Sequence, residues 1–196
     1  MVKETLLKHV DVTPYLTHGF NYCIGDYLQD TYSHDASGEN RLRGLDAMNY
    51  IEQLFFSIGQ RIGLSIRDTM SNKSPVIVGL SEGGWSVAEG LGNALSAPIL
   101  HTNTGRNHDY NSPVFSSSQV NIIQRSDTAI LAEDMIRYGR TLSFVRRNIQ
   151  IHNPNIDLCG VAMYANNISS MALEIPIYAA HFATQDPNSY LREILG

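Results

Sequence analysis

Two cysteines in 196 residues, Cys23 and Cys159, lie far apart and match no metal-ligand spacing, so a pair of reduced thiols is the default. No window reaches the ~18 apolar residues of a membrane-spanning helix. The first residues, MVKETLLKHVDV, hold no long apolar run, and the sequence reads as a cytoplasmic protein with no membrane partner. An excess of cations is also missing. The net charge of −5 argues against a general nucleic-acid or anionic-membrane surface. It does not exclude a small anionic ligand, whose site depends on local N–H groups and cations. Repeats and low-complexity segments are absent. What is present is ordinary globular composition, 43% hydrophobic and 17% charged, enough for a substantial core. The length suits one medium domain, or a core with a small appendage.

The first forty residues are rich in Tyr, His, Gly and Asp without a sustained period, and read as an irregular cap over residues 1–43. From Gly44 to the C-terminus, residues 44–196, the pattern is that of a folded core. Leu45, Met48, Ile51, Leu54, Phe55, Ile58 and Ile62 recur at three- and four-residue steps, which predicts a helix. Strands are predicted at Pro75–Leu80, Pro98–Thr102, Val120–Ile123, Thr128–Ala132, Leu158–Tyr164 and Ile175–Ala180. A helix carrying Trp85, Val87, Ala88, Leu91 and Leu95 follows the first of these, and another spans 141–152. Residues 103–117 are polar and form a long loop, a length usually kept for function. Strands alternating with helices predict an α/β fold with a parallel sheet covered on both faces. Ligands of such sheets bind beyond the carboxyl ends of the strands.

Two turns fall there. The segment Thr128–Thr141, TAILAEDMIRYGRT, joins an apolar run to an adjacent carboxylate pair, Glu133 and Asp134, then to Gly139, Arg140, Thr141 and a helix start. Carboxylates bind sugar hydroxyls or magnesium, and free N–H groups at a helix N-terminus bind phosphate. A phosphorylated sugar satisfies both. The second turn is Ser81–Gly84, SEGG, where two glycines let backbone approach a ligand closely.

Together these turns resemble the type I phosphoribosyltransferases, whose signature is a hydrophobic strand, two acidic residues, three variable residues, Thr-Gly-any-Thr/Ser and a helix. The resemblance covers Pro75–Tyr164. The cap and first helix resemble, more distantly, the hood of orotate phosphoribosyltransferases; purine phosphoribosyltransferases are the other candidate subfamily. The resemblance implies a Mg²⁺-dependent transfer of ribose 5-phosphate from phosphoribosyl pyrophosphate (PRPP) to a nucleobase-like molecule, and a homodimer. Glu133 and Asp134 would hold the ribose hydroxyls directly or through magnesium. Arg137, Tyr138, Gly139, Arg140 and Thr141 would hold the 5′-phosphate. Ser81, Glu82, Gly83 and Gly84 would approach the pyrophosphate, and loop 103–117 would close with Arg106 and His108 as its pyrophosphate contacts.

The chain departs from that signature at three places. Tyr138 replaces a usual Thr, Arg137 stands where purine enzymes often carry Asp, and Glu82 replaces a usual cation. The loop also lacks lysine. These features leave the acceptor base unread, with Tyr164, Tyr178 and Phe182 as candidate stacking rings. They also keep open a non-catalytic regulator that binds PRPP or a nucleotide. A third alternative is an α/β-hydrolase, because GLSEGG fits the G-x-S-x-G elbow and Ser81, Asp134 and His181 occur in triad order.

Overall fold

The computed structural model describes residues 7–10, 38–102, 104, 114–166 and 173–183, with 38–51, Glu82 and 181–183 described by backbone alone. Its elements, in chain order, are β1 (Leu7–His9), α1 (Gly38–Met70), β2 (Pro75–Gly79), α2 (Glu82–Leu95), β3 (Ile99–His101), α3 (Ser117–Arg125), β4 (Thr128–Ile136), α4 (Arg140–His152), β5 (Asp157–Asn166) and β6 (Ile177–Ala183). The strands form one sheet in the order β1-β6-β5-β4-β2-β3. Every pairing is parallel, as the α/β expectation required.

Parallel strands are covered on both faces, so their sequences are nearly continuous apolar runs. On one face, Ile58, Ile62 and Ile66 of α1 and Val87 and Leu91 of α2 pack on Ile77, Ile130 and Val161. On the other, Ile123 of α3 and Leu142, Val145 and Ile149 of α4 pack on Val76, Val78 and Leu131. The four-residue spacing of Ile58, Ile62 and Ile66 is the sequence cause of α1's buried stripe. Near the end of α1, the Arg67 guanidinium donates to the Ala94 carbonyl at 2.7 and 3.2 Å. This bond places a cation beside the electronegative last turn of α2. Among the described residues no helix is long and apolar enough to cross a membrane.

Three elements differ from expectation. Val120–Ile123 is helical, within α3, because Ser116 and Gln119 close a reciprocal capping box that starts a helix there. Strand β4 does not stop at Ala132 but runs through the carboxylates to Ile136, held by β5 through Met135↔Tyr164 and Ile136↔Ala165. Leu7–His9, inside the expected cap, is an edge strand of the main sheet, and α1 begins at Gly38 rather than Gly44. Residues 11–37 lie outside the described residues, as does Cys23. Cys159 is a buried free thiol, its pKa pushed up to about 12 by that burial.

Strands β2 and β4 are neighbours, with Val78 opposite Leu131 and Gly79 opposite Ala132. The helix after β2 leaves to one face and the helix after β4 to the other. Divergent helices leave a crevice at the carboxyl ends of adjacent strands, the topological switch point where α/β sheets bind ligands.

Candidate functional site

The crevice is walled by the two turns that the sequence singled out. On the β2 side, the Leu80 amide donates to the Ala132 carbonyl at 3.0 Å, and Thr102 and Thr104 donate their hydroxyls to the Leu80 carbonyl at 3.2 and 2.5 Å. These bonds tie the ends of β2, β3 and β4 into a rigid floor. Ser81, in extended backbone with φ −140 and ψ 176, caps α2 by accepting from the Gly84 amide at 3.3 Å. Its hydroxyl donates to Glu133 Oε1 at 2.5 Å.

Glu133 is 8% exposed. Burial is the main reason that its carboxyl is pushed up, to about 8, with repulsion from Asp134 adding to it and the Ser81 bond opposing it. Burial also raises Asp134, against the pull of its hydrogen bonds with backbone amides, among them Met135 N–H at 2.8 Å. Burial thus favours the protonated forms of this pair over two free anions. Asp134 keeps part of its surface exposed, while its carboxyl abuts Gly83. A Cβ on Gly83 would fall 2.5 Å from Asp134 Oδ2, so glycine there is what lets the pair sit against the first turn of α2.

The β4 side is built differently. Gly139 is the N-cap of α4, with φ 66 and ψ 8, a left-handed conformation that favours glycine, and no side chain caps the helix. A Cβ there would meet Leu173 at 3.1 Å, and the Arg146 guanidinium donates to the Leu173 carbonyl, which helps fix that wall. The first turn of α4 contains no acidic residue. Tyr138 is 62% exposed, with the Arg137 guanidinium 5.0 Å and the Arg140 guanidinium 5.9 Å from its ring centre. The N–H groups of this turn, the helix dipole and two guanidiniums all favour an anion.

The structure therefore brings together Ser81, Gly83, Gly84, Glu133 and Asp134, with Arg137 to Thr141 adjoining through β4. Arg106 and His108 fall outside the described residues, as does the Glu82 side chain. Of the candidate stacking rings, Tyr164 and Tyr178 are 3% and 7% exposed and serve the sheet faces; the Phe182 side chain is outside the described residues. Trp85 packs edge-on against His101 and donates its Nε1–H to the Thr102 carbonyl at 3.1 Å. The Ser81–Glu133 bond and the Asp134–Gly83 contact were not predicted, because they join residues about fifty positions apart.

The hydrolase triad is not assembled. Ser81 has an extended rather than strained backbone and gives its hydroxyl to Glu133. His181 lies on β6, opposite Tyr164. With β4 and β5 between β2 and β6, three strand spacings, roughly 14 Å, separate those strands.

This arrangement is the type I phosphoribosyltransferase fold, and solved structures share it. A protein from Aquifex aeolicus, AQ2163, is similar over 90% of this chain and 86% of its own, at TM-score 0.55 and 15% identity. A hypothetical protein from Neisseria gonorrhoeae with bound ppGpp is similar over 73% of this chain and 92% of its own, at TM-score 0.52 and 12% identity. A hypoxanthine-guanine phosphoribosyltransferase from Bacillus anthracis is similar over 68% and 79%, at TM-score 0.50 and 16% identity. No protein-family model matches the chain, and no curated protein matches it in sequence.

Proposed function

We propose that the chain is a phosphoribosyltransferase that transfers ribose 5-phosphate from PRPP to a nitrogenous base and releases pyrophosphate. The observation that carries this reading is the adjacency, at the switch point, of a buried carboxyl pair and a helix N-terminus left without a side-chain cap. The N–H groups opening α4 and the Thr141 hydroxyl take the 5′-phosphate. Glu133 and Asp134 accept hydrogen bonds from the ribose hydroxyls. Anchored at both points, C1 of the ribose is held for attack by a base nitrogen. The C1–oxygen bond to pyrophosphate breaks with its electron pair leaving on pyrophosphate, a C1–N bond forms, and the base loses its proton.

The carboxyl pair also fits magnesium. Mg²⁺ is held by one or two carboxylates together with substrate phosphates, and among the described residues no larger cluster of ligating side chains is present. Burial raises the pKa of both carboxyls, and repulsion from Asp134 adds to the rise at Glu133; a bound divalent cation would favour their ionised forms. When bound, the ion would neutralise charge on the pyrophosphate.

A second reading, a regulator that binds PRPP or a nucleotide without transfer, is favoured by one feature. The N-terminus of α2 is already occupied by Ser81 and the carboxyl pair. The Neisseria protein of the same fold holds ppGpp, a nucleotide ligand of the kind this reading implies. Pyrophosphate release from PRPP and Mg²⁺, measured against a panel of purine and pyrimidine bases, separates the two. Transfer predicts release with at least one base. Binding without release for any base assigns the regulator.

A further inference from the structure

A second cleft lies away from the switch point, between the sheet edge and α1. Strand β1 pairs with β6 so that Lys8 stands opposite Tyr178, on the sheet face that α1 covers. The Lys8 ammonium donates to the Tyr178 hydroxyl at 3.3 Å and lies 5.1 Å from the centre of its ring. Facing them, Arg61, Ser65 and Thr69 follow one another at four-residue steps and form one polar stripe of α1. Together these residues line a cavity of about 420 Å³, floored by the buried Val10 and Ile66, with His9 at its rim. That volume lies in the range of small-molecule sites.

The charge of this cleft is what sets it apart. The chain has 19 acidic against 14 basic residues, yet among the described residues no carboxylate lines the cavity while Lys8 and Arg61 both do. Among the described residues neither cation forms a salt bridge. Ser65 donates its hydroxyl to the Ile62 carbonyl at 2.7 Å, so its proton is already committed within α1. The cleft thus offers two cations and the Thr69 hydroxyl. We propose that it is a second ligand site, for a small organic phosphate whose phosphate lies between Lys8 and Arg61. Beyond the sheet edge formed by β1, the site is three strand spacings from β4, roughly 14 Å, so both sites can be filled at once.

Backbone amide shifts of the full chain, titrated with inorganic phosphate and with a nucleoside monophosphate at low ionic strength, test this. Movement is expected at residues 7–10 and 61–69, separately from any movement at 137–142. Arg61→Ala leaves the buried stripe of α1 intact and should weaken the response at 7–10 about tenfold, the scale of one charge-assisted hydrogen bond. Arg61→Glu should abolish it, and Lys8→Ala should match Arg61→Ala. Movement at 137–142 should persist in all three. Unmoved amides at 7–10 and 61–69 in the folded wild type would overturn the proposal, as would an unchanged response in Arg61→Glu. The outcome at 137–142 bears only on the switch-point site, so the two assignments fail separately.

Discussion

The chain has two helix N-termini facing one crevice, and they are finished in opposite ways. At α2 the protein supplies its own partners: Ser81 caps the helix and bonds Glu133, and Asp134 lies against Gly83. At α4 no side chain caps the helix, the N-cap is a left-handed Gly139, and Arg137 and Arg140 flank an exposed tyrosine. Helix poles of the same sign attract anions equally, so the difference lies in what already occupies them. One pole is internally satisfied and positions the carboxyl pair. The other has no side-chain cap and no acidic residue in its first turn.

The sharpest way to break this contrast is to close the open pole. Gly139→Val places a β-branched residue at positive φ and drives its Cβ toward Leu173. Strain of about 1–3 kcal/mol at such a position should displace the turn and lower the affinity for ribose 5-phosphate about tenfold to a hundredfold in calorimetry. Unchanged affinity would show that the α4 turn does not hold the phosphate.

The closed pole is probed through its proton. Glu133 is raised from 4.5 to about 8, so the folded protein binds a proton that the unfolded chain releases across that window. Stability of the unliganded protein should therefore fall as pH rises from 4.5 to 8. The expected decline is about 10 °C or more in Tm, and Glu133→Gln should flatten it. An equal slope in both proteins would mean that Glu133 is not the group that titrates. The smallest effect belongs to the cap. Ser81→Ala loses one helix cap and one carboxyl hydrogen bond, about 1 kcal/mol, which lowers Tm by about 2–4 °C. It should also steepen the Glu133 dependence, because the Ser81 hydroxyl opposes the rise in that pKa.

Much of this contrast was legible in the sequence. The apolar runs PVIVG and TAILA, alternating with amphipathic helices, specified a parallel sheet, and Gly139 beside a carboxyl pair marked the open pole. Other parts depend on contacts between distant residues. Glu133 and Asp134 read as the residues after a strand, yet pairing with β5 carries β4 past them to Ile136. Val120–Ile123 has the β-branched look of a strand, but the local signal of Ser116 and Gln119, visible as S-x-x-Q, decides for a helix. Leu7–His9 has too few residues to show a period and is fixed only by β6. The Ser81–Glu133 bond joins a turn and a strand that sequence could place in one crevice but not in contact.

The account rests on the carboxyl pair and the open pole acting on one ligand. The most direct test is calorimetry of PRPP with Mg²⁺ on the wild type and on Asp134→Asn, with thermal unfolding to verify that the variant folds. The account predicts binding to the wild type and an affinity about tenfold lower or weaker still in folded Asp134→Asn, as loss of a charged hydrogen-bond acceptor requires. Equal affinity in the two proteins, or no PRPP binding to the wild type, would contradict it.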